Sequence, residues 1–170
     1  MIKKPSRTEF RNVLGHFKHM YFYELHRREQ MEKRSQFLIP VIAGLLAAIF
    51  FLTSHVSGEM SVTFALLLFF SLAFIGGTMY WTGLYLWPRP YQTIHSSEKL
   101  KDIFLEENKE TPYHFEEALL DQYAEATDYN QQINDRRNKA LSMSTKFLAL
   151  TVLSVSLLTL YQILKIVIYS

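Results

Sequence analysis

Cysteine is absent from the 170 residues, which excludes disulfides, thiolate metal sites and cysteine nucleophiles. Glycine is scarce at six residues and proline at five, and neither occurs after Pro112, so nothing in the last third of the chain would break a helix. Strand-type alternation is missing, and so is any glycine-rich phosphate loop set after a strand. Net charge is close to absent too. Eighteen Lys and Arg against sixteen Asp and Glu leave +2, too little to imply a polyanionic partner by itself. His16 and His19 stand three apart but have no further metal ligand at a defined spacing, and read as surface histidines. With no Ser/His/Asp grouping in context, no enzyme, metal or cofactor is expected.

What the chain has is segregation. Hydropathy averages 0.00 only because charged blocks alternate with apolar ones. Three runs reach the roughly 20 residues that cross a bilayer: residues 36–54, 62–87 and 147–168. About thirty-five mostly polar residues precede the first run, so no cleavable signal peptide is expected. The expected fold is an all-α membrane protein with three transmembrane helices. Its parts are a cytoplasmic amphipathic arm (1–35), a two-span hairpin (36–87), a cytoplasmic helical region (88–146) and a third span (147–170). Nine basic residues lie in the arm, eight in 88–146 and none in the turn 55–61. The positive-inside rule therefore puts the N-terminus in the cytoplasm, and the turn and C-terminus outside.

Within the arm, Phe10, Val13, Leu14, Phe17, Tyr21 and Leu25 recur at helical spacing. Pro40 predicts a kink just inside the first span. Trp87-Pro-Arg-Pro90 ends the second, where Trp81, Tyr85 and Trp87 suit an interfacial belt. A short helix is expected over 97–108. Thr111-Pro112 then reads as the start of one helix running to Ile168, continuous with the last span.

One face of that long helix collects Phe115, Leu119, Ala126, Tyr129 and Ile133, an apolar stripe in water that predicts an oligomer interface. The same face passes through Ser144 and continues as Thr151, Ser154, Leu158, Gln162 and Lys165, a polar stripe in lipid that asks for a partner or for water along an axis. Leu158 is the large apolar member of that stripe and the candidate gate. Ser71, Thr78 and Thr82 on the second span suit hydrogen bonds to their own or a neighbouring helix.

At the junction, Arg136, Arg137, Lys139 and Lys146 fit a headgroup anchor. They also adjoin Asn130, Asn134 and Asn138, repeated every four residues. That ladder could hold a base or ribose while Arg137 meets phosphate, with Lys18 and Arg27 of the arm assisting. Both readings stand on the sequence.

The arm "YFYELHRREQMEKRSQFLIPV", the hairpin, and "AEATDYNQQINDRRNKALSMSTKFL" leading into a last span together resemble the small membrane effectors of bacterial anti-phage systems, in layout nearest the Hailong type. The resemblance covers most of the chain. It implies a bacterial inner-membrane protein, channel-like and assembled as a homo-oligomer with a tetramer first. It also implies a nucleotide or oligonucleotide signal made by a nucleotidyltransferase partner, and control of ion permeability. The chain departs from that pattern in the outer cytoplasmic region, where 98–128 carries ten acids against three bases and would repel an oligonucleotide. A non-conducting scaffold or adaptor, and a holin-like pore former, are the alternatives. A topology reporter fused at Gly58 is expected outside the cytoplasm and one at Asn108 inside; both on one side would overturn the three-span reading.

Overall fold

The computed structural model describes residues 7–54, 61–94 and 114–169. All regular structure in them is helical: α1 (Arg7–Ser35), α2 (Leu38–Ser54), α3 (Val62–Leu86) and α4 (His114–Tyr169). Three helical stretches, within Thr8–Ser54, Val62–Leu86 and Glu116–Ile168, are long and apolar enough to cross a membrane. The short helix expected over 97–108 and the Thr111-Pro112 start lie outside the described residues.

Local chemistry accounts for the helix ends. Pro40 has no N–H for the carbonyl of Gln36, and its ring crowds that carbonyl. The break therefore falls at Gln36 and Phe37, and Pro40 sits in the first turn of α2, where its N–H would have had no helical partner anyway. In place of a kink inside the span there is a joint ahead of it. Ser61 caps α3 by accepting from the N–H of Phe64 at 3.2 Å. At the other end Trp87 donates its N–H to Gly83 O at 2.9 Å. Its ψ of 123° is the extended value that a following proline requires. With nothing to break it, α4 continues for 56 residues, about 84 Å at 1.5 Å per residue.

The chain packs as two compact units. Residues of Met1–Gln30 and Pro88–Asp135 form one, and Met31–Trp87 and Arg136–Ser170 the other. In the first, α1 and α4 lie side by side and parallel. Arg11 meets Glu116, Tyr21 packs edge-on against Tyr123, Glu24 meets Asn134, and Arg27 meets Asp135, so both sequence numbers climb together. Tyr21, Ala126 and Ile133 are buried here.

In the second unit α3 runs antiparallel to α4. Thr82 faces Ser144, Thr78 faces Thr151, Ser71 faces Ser154 and Ser61 faces Tyr161, one number falling as the other rises. Met31, Leu38, Tyr85, Leu141 and Leu148 form one apolar cluster of this unit, and Ile42, Ile49, Ile75 and Val155 the other. Its outer surface is more apolar than its seam: Phe50, Phe69 and Val167 are 65–75 % exposed. Exposed apolar surface on this scale belongs in lipid. Trp87 fits the expected interfacial belt at 66 % exposed, but Tyr85 is fully buried and belongs to the core.

Gly77 sets how closely α3 can approach α4. A Cβ there would lie 2.6 Å from Cδ1 and 3.1 Å from Cγ of Phe147, whereas one on Gly76 would meet nothing within 4 Å. Gly77→Ala is therefore expected to destabilise the second unit by about 1–3 kcal/mol, read as a lower detergent melting temperature. Gly76→Ala should leave that temperature unchanged, and Phe147→Ala should rescue Gly77→Ala. Equal melting of the two alanine variants would show that this contact does not limit packing.

Candidate functional site

The polar stripe of α4 finds its partner inside its own chain. Ser144 and Thr82 hydroxyls are 2.8 Å apart, Thr151 and Thr78 3.4 Å, Ser154 and Ser71 2.7 Å, and Tyr161 and Ser61 2.6 Å. Ser71 donates to Leu67 O at 2.8 Å, while the Ser154 hydroxyl lies 3.4 Å from the same carbonyl, so the two hydroxyls share it across the seam. Thr151 and Thr78 each donate to their own helix, to Phe147 O at 2.8 Å and to Phe74 O at 2.9 Å, so their 3.4 Å approach is a polar contact rather than a hydrogen bond with its own proton. Ser144, Thr151 and Ser154 are buried against α3, and Leu158 on the same side of α4 is fully buried. Of the two outcomes expected for this face, a partner or water along an axis, the chain itself supplies a partner: periodicity identified the face, and Ser144, Thr151 and Ser154 meet α3. Gln162 and Lys165 follow on α4, each half-buried.

In the first unit the carboxamides expected to read a ligand are committed to the fold. Asn134 donates through Nδ2 to both the main-chain oxygen and Oε2 of Glu24, each at 2.8 Å, and accepts from the Tyr91 hydroxyl. Asn130 accepts from the N–H of Gln92 and donates to its carbonyl, both at 3.0 Å, which copies a peptide-to-peptide clamp. Both Asn side chains are fully buried, and neither has a polar atom left to offer a base. Glu24 is itself buried, its carboxylate held by Asn134 and by Arg27 at 3.4 Å. Arg27 also donates to Asp135 at 2.7 Å. Burial opposes the charge on Arg27, but the Asp135 hydrogen bond and the Glu24 charge outweigh it and hold the guanidinium above its ordinary value. Arg28 lies 4.5 Å over the ring of Tyr91. Arg27 is thus part of the packing, while Lys18 is exposed.

The predicted oligomer face is also mostly covered in place. Ala126 and Ile133 are 1 % and 6 % exposed, Leu119 is half-buried, and Tyr129 remains open at 41 %. The side chain of Phe115 lies outside the described residues. A stripe that is apolar in water did need a partner, and α1 of the same chain supplies it.

In the second unit, Arg137 turns inward. Its guanidinium carbon sits 4.8 Å from the centre of the Tyr85 ring, and Nη1 is 3.7 Å from Glu32. Arg136, Asn138 and Lys139 are exposed. Of the basic and amide residues named at the junction, these three and Lys146 keep free surface. The residues that sequence reasoning missed are Glu24, Tyr91, Gln92 and Asp135. Glu24 alone carried a signal, as the one acid in the segment 17–28, whose other charged groups are basic.

Comparison with known proteins finds no family model, no curated protein and no solved structure that matches this chain.

Asn134→Ala removes two donors from a buried carboxylate region and is expected to cost about 1.5–3 kcal/mol per charged hydrogen bond lost. Asn138→Ala, at an exposed position on the same helix, should stay within about 0.5 kcal/mol. Thermal unfolding of the two variants in one detergent compares them; equal stability would show that the buried ladder is not structural.

Proposed function

We propose that this chain is a non-enzymatic membrane effector of bacterial anti-phage defence. Its helices outside the bilayer receive a nucleotide-type signal or a protein partner, and its spans change inner-membrane permeability in response. The observation that supports this reading is the continuity of α4. One helix of 56 residues without glycine or proline carries both the buried Asn130 and Asn134 clamps and the hydroxyl stripe from Ser144 to Tyr161. A torque applied at the clamps is therefore delivered to the stripe through an unbroken hydrogen-bonded backbone.

In this reading the paired hydroxyls are the shut state. Each interhelical hydroxyl pair in a membrane is worth only about 0.6 kcal/mol on average, so rotation of α4 away from α3 would exchange these partners for water at small expense. Leu158, fully buried in the same seam, would be the apolar plug that excludes water until α4 turns. The proposed orientation keeps the N-terminus and the acidic region on the cytoplasmic side and the C-terminus outside. Homo-oligomers, with a tetramer first, would then form through surfaces other than the covered Ala126 and Ile133.

The pairing also favours a second reading. Because the hydroxyls satisfy one another within the chain, the spans leave no continuous polar face for a water-filled axis, as suits a non-conducting anchor that recruits a cytoplasmic effector. Ion flux from liposomes separates the two. For a gated conductor, Leu158→Ser should leak without any signal, and wild-type protein should conduct only when a cyclic or linear oligonucleotide is added. If both remain tight under every nucleotide tried, the anchor reading stands and the conducting one falls.

A further inference from the structure

We propose that the second unit carries a binding groove for one anionic glycerophospholipid, placed where the chain passes from polar to apolar. The groove is about 590 Å³ and lies between the end of α1 and the start of the apolar part of α4. Arg34 and Lys146 stand on its rim, Phe37 and Leu141 form its apolar wall, and Asn138 and Ser142 add polar groups. On α4 the lining positions 138, 141, 142, 145 and 149 recur at three- and four-residue spacing, so they share one face.

Charge argues for an anion. No acid lines the groove, and among the described residues neither Arg34 nor Lys146 has a carboxylate within ion-pair distance. The inward-facing arginines of these helices are engaged: Arg27 with Glu24 and Asp135, and Arg137 with Glu32. Two cations left open over one depression contrast with that pattern.

Apolarity argues for a lipid rather than a soluble anion. Phe37 is 49 % exposed beside the groove although it begins the most apolar stretch of the chain, and Leu141 lines the groove with it. The hydroxyl of Thr145 is returned to its own helix, donating to Leu141 O at 2.9 Å, and so adds no polarity. A free phosphate would gain from the cations and leave the wall wet. A glycerophospholipid would set its phosphate between Arg34 and Lys146 and its first acyl carbons along Phe37, Leu141 and Ala149. A groove of this size takes a headgroup with part of one chain. The position is right for it: Leu38 begins the apolar run of α2, and Phe147 begins that of α4. This inference rests on the chain being a membrane protein and is independent of the effector reading.

Native mass spectrometry of the full chain in detergent, titrated with phosphatidylglycerol or phosphatidylcholine, tests it. Wild-type protein should retain phosphatidylglycerol preferentially. Arg34→Gln and Lys146→Gln should each lower its apparent affinity roughly fivefold, the equivalent of about 1 kcal/mol for a basic group near an anionic surface. The double variant should lose the preference. Arg136→Gln with Lys139→Gln removes the same charge from exposed positions outside the groove and should keep it. Phe37→Ala should weaken both lipids, and millimolar glycerol phosphate should displace neither. The proposal is overturned if the groove and control double variants behave alike, since the preference would then be general surface charge. It is also overturned if glycerol phosphate competes, since the wall would then play no part.

Discussion

A hydroxyl in hydrocarbon has no water to turn to, and the second unit is organised around that fact. Ser61, Ser71, Thr78 and Thr82 on α3 face Tyr161, Ser154, Thr151 and Ser144 on α4. Ser71, Thr78 and Thr151 also return a hydrogen to a carbonyl of their own helix, but the facing pairs Thr82–Ser144, Ser71–Ser154 and Ser61–Tyr161 form only in this one antiparallel register. A shift of one turn would pair hydroxyls with leucine or phenylalanine and leave several bonded only to their own backbone. The register in turn decides which residues face lipid, so Phe50, Phe69 and Val167 point outward as the complement of a polar inner line. Water-soluble helices put polar groups outside and pack with apolar ones; here the order is reversed because the solvent is.

The first unit solves the opposite problem. Glu24 is buried at 2 % exposed, and a buried carboxylate without hydrogen-bond partners would be prohibitive. The fold answers with Asn134, which brings two hydrogen bonds without a second charge, and with Arg27, which is shared with Asp135. Asn130 fastens the backbone at Gln92, soon after the end of α3. Carboxamides suit this work because each offers a donor and an acceptor on one planar group.

Much of the fold was legible in the order of residues, and the limits of that legibility have one cause. Long apolar runs, Trp87 before Pro88, and the absence of glycine and proline beyond Pro112 are local signals, and the helices begin and end close to where they point. The faces of α4 were legible as well: Ser144, Thr151, Ser154 and Leu158 do share one side, as do Ala126 and Ile133. Periodicity says which side of a helix needs covering and is silent on what covers it. The stripes called for partners that α3 and α1 supply, where assembly of several copies looked equally suitable. The intrachain partner of Asn134 was not legible for the same reason, since Glu24 lies 110 positions away. Pro40 moved the discontinuity to Gln36 and Phe37 because its clash acts on the carbonyl four residues earlier.

The parallel course of α1 and α4 has a consequence for how the protein is made. Parallel neighbours cannot be joined by a short turn, so the partner of Glu24 is encoded 110 residues downstream, beyond two membrane spans. At a synthesis rate of roughly 5–20 residues per second, the arm leaves the ribosome on the order of ten seconds before Asn134 exists to receive its carboxylate. During that interval the arm must stay hydrated and unpaired while the hairpin inserts. It docks only when the last helix arrives, so the first segment to be synthesised is among the last to find its place.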